Sequence, residues 1–302
     1  MDNMGNDILV SCTVVSYNSE KTIVETLESI KSQTYRNIEL IVSDDCSKDN
    51  TVLVCRGWIE KNKDRFVRTE LITVEKNTGV CENCNRVKRA CRGEWVKGVA
   101  ADDILLPNCV ADFVEYVKAK PEAMWVSSYI RVYRDYFNEE NIVSRNESTD
   151  SSFFDMTAEE QLKKIALWNV IKAPSLFINR ELGKEVGYYD STYSFEDYPY
   201  YLKILEHGYK CFFLQKETVG YRLHESISHN KGTLFNYKFL QESRRFHREK
   251  CFKYLTPRQI KGQFAIWKFQ DIIVALNLNK DKPVIRFIYN KLFAILKKIY
   301  NN

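Results

Sequence analysis

Gly93-Glu-Trp-Val-Lys-Gly-Val-Ala-Ala-Asp-Asp-Ile-Leu-Leu-Pro107 is a short apolar strand that runs into two adjacent carboxylates and stops at a proline. Neighbouring like charges repel, and they become favourable when a divalent cation that prefers oxygen ligands sits between them and a bound phosphate. Asp102 and Asp103 are therefore candidates for a nucleotide-diphosphate site. The competing reading has them opening the next helix, whose positive N-terminal end attracts acids. Upstream, apolar strands alternate with amphipathic helices. Ile8 to Ser16 reads as a buried strand, Thr22 to Ser32 as a helix with Ile23, Leu27 and Ile30 on one face, and Ile38 to Ser43 as the next strand. Ser47 to Thr51 caps a second helix reaching about Asn62, Leu71 to Val74 is a third strand, and Val80 to Cys91 a third helix.

Strand and helix in strict alternation predict an α/β fold with a mainly parallel central sheet flanked by helices. Ligands of such sheets bind at the carboxyl ends of the strands. The loops there carry Tyr17-Asn18, Asp44-Asp45, Asn77-Thr-Gly79 and Asp102-Asp103, four polar clusters on one edge. The chain has no Gly-x-Gly-x-x-Gly and no Gly-x-x-x-x-Gly-Lys-Ser/Thr, so phosphates are expected to be held by a metal and side chains and not by a glycine cradle. From about Met124 the pattern turns to mixed strands and helices, with Thr157 to Trp168 and Arg180 to Gly187 helical; this half is expected to wall the second substrate. Residues 138 to 155 are polar and weakly periodic and read as a mobile loop.

With 302 residues, 44% hydrophobic and 28% charged, the chain has enough for one large domain or two small ones. No apolar run approaches the ~18 to 20 residues of a membrane span, and the first residues lack the pattern of a secretory signal. A cytoplasmic protein is expected, and nine scattered cysteines fit a reducing compartment. Cys81, Cys84 and Cys91 share one helix face; without a second pair to complete a zinc site they read as small buried apolar residues. The net charge of +5 is unevenly spread. Residues 1 to 235 hold 30 Lys and Arg against 36 Asp and Glu, whereas 236 to 302 hold 15 against 4. The last helix, Pro283 to Tyr300, places Ile285, Ile288, Leu292, Ile295, Leu296 and Ile299 on one face, with five basic residues and no acid across 282 to 302. Such a helix fits an anionic membrane surface; docking onto the protein's own core is the other reading. Nucleic acid is not an expected partner, because no basic sheet face with interleaved aromatics and no DNA-reading motif is present.

The residues resemble the inverting nucleotide-sugar glycosyltransferases of family 2, with the GT-A fold and of the bacterial O-antigen and polysaccharide type. Val14-Val-Ser-Tyr-Asn18 is similar to that family's opening strand, and Ser32 to Thr51 to its second strand and loop. Asn77-x-Gly79 with Arg92-Gly-Glu94 resembles the lead-in to the carboxylate motif, and Phe195-Glu-Asp-Tyr198 a motif that opens a helix. The match runs over roughly residues 8 to 230. It implies a GT-A domain over 1–235, with a nucleotide-sugar half at 1–110 and an acceptor half at 111–235, followed by a basic helical extension at 236–302. It further implies that Tyr17 lies against a uracil ring, that Asp45 accepts its N3–H, and that Asn77 belongs to the nucleotide-sugar site. Asp102 would reach the ribose and the metal, and Asp103 would bind Mn2+ or Mg2+ bridging the diphosphate. Asp197 would be the general base, with Glu196 polarising or positioning it. His224, in a segment similar to one that closes over the diphosphate, is a candidate to touch the metal or a phosphate oxygen.

Two positions depart from the family pattern. Ala100 stands where the first acid of Asp-x-Asp is usual, and Cys84 stands where an Arg commonly precedes Asn85. Arg86, two positions on, is expected to point elsewhere on the helix. The resemblance implies transfer of a hexose, glucose or galactose, from a UDP-sugar to a lipid-linked saccharide such as GlcNAc-diphosphoundecaprenol in O-antigen or surface polysaccharide synthesis, at the inner face of the cell membrane. The alternative is a catalytically silent sugar-nucleotide-binding subunit of a membrane glycan-assembly complex.

Overall fold

Strand β1 (Val10–Ser16) sits between two parallel neighbours and has almost no exposed surface. Its Val-Ser-Cys-Thr-Val sequence alternates, yet Ser11 and Thr13 are as buried as Val10, Cys12 and Val14, so the strand is covered on both faces. The computed structural model describes residues 7–147, 151–223 and 232–301. After β1 come α1 (Ile23–Lys31), β2 (Ile38–Asp44), α2 (Thr51–Asn62), β3 (Arg68–Thr73), α3 (Val80–Ala90), β4 (Trp95–Ala100), β5 (Ile104–Leu105) and α4 (Cys109–Ala119). The chain continues through β6 (Trp125–Arg134), β7 (Ile142–Glu147), α5 (Ser152–Asp155), α6 (Ala158–Leu167), β8 (Phe177–Asn179), α7 (Arg180–Val186), α8 (Asp197–Glu206) and β9 (Phe212–Leu223). Three helices follow: α9 (Tyr237–Phe246), α10 (Pro257–Ala275) and α11 (Pro283–Asn301).

The strands form one sheet in the order β3-β2-β1-β4-β8-β6-β9-β5, with β7 on β6. β3, β2, β1 and β4 are mutually parallel, while β8, β7 and β5 join antiparallel to their neighbours. The core lies where Ile23, Leu27 and Ile30 of α1 and Val110, Phe113 and Val114 of α4 meet the sheet. Two compact units divide the chain, residues 1–161 with 170–223 and residues 162–169 with 224–302. In the first lie the sheet and the helices up to α8, apart from residues 162–167 of α6; in the second lie those residues with α9, α10 and α11.

A buried acid ties β1, β2, β3 and the start of β4 together. Glu39, in the middle of β2 and 0% exposed, accepts from the Ser11 hydroxyl at 2.5 Å, the Arg92 and Gly93 N–H groups at 2.6 and 2.9 Å, and the Arg68 guanidinium at 2.8 Å. A Cβ on Gly93 would stand 2.6 Å from the Ser11 nitrogen, so only glycine fits there. The Arg92-Gly93-Glu94 motif is thus the seat of a buried ion.

Three expectations need correction. The third strand begins at Arg68 and not at Leu71, because Arg68 earns its place by pairing with Glu39. Residues 138 to 155 are not a plain loop: a turn at Glu139–Asn141, β7 and α5 occupy most of them. Glu217 on β9 fixes β7 by accepting from the Asn146 N–H at 2.8 Å while pairing with Arg131. On α11, the face read as one apolar stripe is divided. Ile285 and Leu296 are half-buried, whereas Ile288, Leu292, Ile295 and Ile299 are exposed. All nine cysteines are free thiols, with Cys81 and Cys91 buried and Cys84 half-buried.

Candidate active site

The carboxyl ends of β1 and β2 are joined side chain to backbone. Asn18 adopts φ 51°, a left-handed conformation that asparagine tolerates better than most residues. From there its N–H donates to Ser47 Oγ at 2.8 Å and its Oδ1 accepts from the Lys48 N–H at 2.8 Å. Asp44 is structural: its carboxylate accepts from the Ser16 hydroxyl at 3.0 Å and from the Ser47 N–H at 2.8 Å. Between these anchors Tyr17 is 49% exposed, which leaves an aromatic face at the strand end on which a planar base can stack.

Asp45 follows β2 and is 2% exposed. Its oxygens accept from Thr78 Oγ1 at 2.7 Å, the Thr78 N–H at 3.0 Å, the Gly79 N–H at 2.7 Å and Arg86 Nη2 at 2.6 Å. Four donors match the roughly four lone-pair positions of a carboxylate. Burial pushes the Asp45 carboxyl up, and the bonds from Thr78, Arg86 and Gly79 outweigh it, so the group lies below the usual carboxylate range. Gly79, at φ 88°, permits the turn that aims its N–H at Asp45, and Asn77 Oδ1 accepts from the same N–H at 3.2 Å. Arg86 does not point away: besides Asp45 it reaches Ser43 Oγ, Thr78 Oγ1 and Asn83 Oδ1. Periodicity placed it on a different face from Cys84 and could not show that this face meets the end of β2. Replacing Arg86 with alanine leaves Asp45 without its counter-charge. If the site holds the nucleotide sugar that the sequence resemblance implies, initial-rate kinetics of Arg86→Ala should show its KM raised by about tenfold with a smaller change in kcat, the signature of a lost binding contact.

Asp102 and Asp103 occupy the turn between β4 and β5. Asp103 is 2% exposed, and its Oδ1 accepts from the Arg222 N–H on β9 at 2.8 Å. Its carbonyl accepts from Thr26 Oγ1 at 2.7 Å, which fastens the turn to α1. Arg222 Nε donates to the Asp102 carbonyl at 2.9 Å, and the same guanidinium pairs with Glu25 and lies 4.3 Å from the Phe137 ring. Asp102 itself is half-buried. Among the described residues no set of three metal-ligating side chains gathers here. Two carboxylates alone still fit Mn2+ or Mg2+, hard cations that commonly take one or two protein carboxylates and fill their remaining positions with phosphate oxygens and water. His224 lies outside the described residues.

Glu196 and Asp197 open α8, both half-buried. Burial, and then the Asp197 carboxylate, push the Glu196 proton up to about 7, while Lys88 pulls the other way. The two neighbouring acids therefore hold a proton between them more strongly than a lone carboxyl would, at the positive end of a helix. Lys88 sits 4.2 Å from the Tyr189 ring centroid and 4.0 Å from that of Tyr200. Burial lowers its pKa to about 7, against the pull of Cys84, Cys91 and Glu196. Asn85 clamps the approach to this helix, donating to the Tyr189 carbonyl at 3.0 Å and accepting from the Tyr189 N–H at 2.9 Å. Cys81 Sγ donates to the Tyr193 carbonyl at 3.2 Å.

Helix α3 is thus common to both carboxylate groups. Arg86 and Asn83 face the Asp45 end, where Asn83 Nδ2 donates to the Ser16 carbonyl at 3.3 Å; Cys81, Asn85 and Lys88 face the segment leading to Asp197. Lys88, Arg86, Asn83 and the seat of Glu39 were missed from the sequence. The signal available was polar residues on the inward face of a short amphipathic helix, Asn83 and Asn85 being 3% exposed.

The model for "Glycosyl transferase family 2" matches residues 11–178. An uncharacterized glycosyltransferase of Haemophilus influenzae is 24% identical over 300 residues, covering 98% of this chain and 88% of that one. The Escherichia coli protein WfaP, a UDP-Glc:alpha-D-GlcNAc-diphosphoundecaprenol beta-1,3-glucosyltransferase, is 27% identical over 230 residues, 74% of this chain and 81% of its own. Among solved structures, the mannosyltransferase PcManGT from Pyrobaculum calidifontis, in complex with GDP-Man and Mn2+, superposes with a TM-score of 0.60 at 19% identity, covering 98% of this chain and 83% of that one.

Proposed function

The chain belongs to glycosyl transferase family 2 and has the GT-A fold, and from this premise we propose an inverting, metal-dependent hexosyltransferase. It moves glucose or galactose from a UDP-sugar to a lipid-linked saccharide of the GlcNAc-diphosphoundecaprenol type, in O-antigen or other surface polysaccharide synthesis. The observation that carries the reading is the acidic pair opening α8, in which Glu196 holds its proton up to about 7 beside Asp197. In an inverting transfer the acceptor oxygen attacks the anomeric carbon, the bond from that carbon to the diphosphate breaks, and the acceptor's proton goes to a carboxylate. Asp197 is that carboxylate and Glu196 its positioning neighbour. The likeness to WfaP supports the UDP-hexose donor and the lipid-linked acceptor.

The other roles follow from position. Tyr17 stacks on uracil, and Asp45, in a loop that Asn77 helps to shape, would take the base N3–H in exchange for one of the four protein donors that fill its acceptor positions. Asp102 and Asp103 would hold Mn2+ or Mg2+, with His224 as a further candidate ligand. When bound, that cation supplies positive charge to the departing diphosphate. Residues 1–110 serve as the nucleotide-sugar half, 111–235 as the acceptor half and 236–302 as the basic extension. Among the described residues no helix is long and apolar enough to cross a membrane, which agrees with a peripheral place on the cytoplasmic face.

The test is mass-spectrometric detection of transfer from a panel of UDP-sugars to a synthetic GlcNAc-diphospho-lipid, with Mn2+, with Mg2+ and with chelator. A product that appears only with divalent cation, and is lost in Asp102→Ala, is the expected result. Binding of UDP without any product across the panel would instead favour the silent subunit.

A further inference from the structure

The second compact unit carries an apolar helix face turned outward. On its inner side, α11 packs by Tyr289 against Phe269 and Phe235, ring centroids 5.6 Å apart in both cases, and by Phe293 against Trp168 at 5.8 Å. Gln270 Nε2 donates to the Tyr289 hydroxyl at 3.2 Å, and Arg258 donates to the Ile299 carbonyl at 2.7 Å. Away from these contacts, Val284, Ile288, Leu292, Ile295 and Ile299 are 69%, 51%, 42%, 53% and 49% exposed. Steps of four, four, three and four residues set them in one continuous stripe. Single exposed leucines mean little, whereas a row along a whole helix marks a surface that something else covers.

Charge selects the occupant. Residues 282 to 302 contain five Lys and Arg and no acid. Lys291 and Lys298 are exposed and lie seven residues apart along one flank of the stripe. Lys297 lies instead on the inner side, 4.0 Å from the Trp168 ring, and Arg286 pairs with Asp281. A second copy of this chain would bring the same basic flank against itself. An anionic surface complements it, and the helix is not apolar enough to leave that surface and span a bilayer.

We propose that α11 lies flat on an anionic phospholipid surface, with the Val284–Ile299 stripe sunk among the lipids and Lys291 and Lys298 at the headgroup phosphates. The contact is about 28 Å long for nineteen residues, and its electrostatic part weakens with salt. This inference does not depend on the donor or the acceptor, because it concerns the bare lipid surface.

The experiment is co-sedimentation of the intact chain with vesicles of phosphatidylcholine alone and of phosphatidylcholine with phosphatidylglycerol, at low and high salt. The expected result is sedimentation with the anionic vesicles only, weakened by salt. Lys291→Gln with Lys298→Gln should weaken vesicle partition by about thirty-fold, and Leu292→Glu with Ile295→Glu should abolish it. These side chains are exposed, so unchanged melting of both double variants is expected alongside. Equal binding to neutral vesicles, or an acidic-stripe variant that sediments like the parent chain, would overturn the proposal. So would a dimer in solution that Leu292→Glu with Ile295→Glu dissociates while the parent chain ignores every vesicle. Vesicles free of saccharide keep this outcome separate from that of the transfer assay.

Discussion

Asp197→Asn is expected to lower kcat by two to four orders of magnitude, the usual worth of a positioned general base, while the chain still binds UDP and melts where the parent does. Asparagine keeps the size and the place at the start of α8 and removes only the capacity to take a proton. Glu196→Gln provides the contrast. Burial and the Asp197 charge hold the Glu196 proton up to about 7, so the pair gains negative charge as pH rises through neutrality. A pH profile of kcat for the parent enzyme should therefore bend near neutrality. Compared in a Lys88→Met background, which removes the other group that burial brings to about 7, Glu196→Gln should lose that bend and keep measurable turnover, whereas Asp197→Asn should be nearly inactive at every pH. If both variants lost activity equally and the bend persisted in Glu196→Gln, the division of labour within the pair would be refuted.

Glu39→Ala is expected to destabilise the fold by about 3–5 kcal/mol, since it leaves a buried hydroxyl and two backbone N–H groups without their acceptor and takes from half-buried Arg68 one of its two carboxylates. The Ser11 hydroxyl, two backbone N–H groups and Arg68 all converge on this carboxylate. Urea unfolding followed by circular dichroism measures the loss; Glu39→Gln, which keeps an acceptor oxygen, should lose less. Burial pushes this carboxyl up and the bonds from Ser11, Arg92, Gly93 and Arg68 outweigh it, so its folded pKa lies below the ordinary value. The stabilisation is then fully present above the unfolded carboxyl's pKa and disappears as pH falls through the folded one. The parent chain should accordingly lose stability on acidification more steeply than Glu39→Gln.

The parallel half of the fold was legible because β1 and β2 are buried on both faces, and their apolar-rich runs, like that of β4, stand out between helices with a 3.6-residue period. Asp44-Asp45 and Asp102-Asp103 fell at strand ends in the sequence and lie there in the structure. What remained hidden depends on partners distant in sequence. β3 begins with Arg68, a residue that looks like loop until Glu39, twenty-nine positions earlier, is known to face it. β7 is polar because it rides an edge of the sheet, and its anchor, Glu217, comes seventy-one residues later. Lys97 sits inside the apolar β4 and donates to the carbonyls of Gly98 and Pro174, contacts that no periodicity reveals. The partner of Arg86 stayed hidden for the same reason, since helical spacing assigns a face but not what that face meets.

The double duty of α3 has a consequence for anyone wishing to redesign this protein. One of its faces holds the Asp45 seat and another holds the approach to Asp197, so a change made to alter the preferred nucleotide would propagate to the acceptor side. Directed evolution of donor choice is better aimed at the exposed Tyr17 itself, where a library can vary without disturbing a wall that two rooms share.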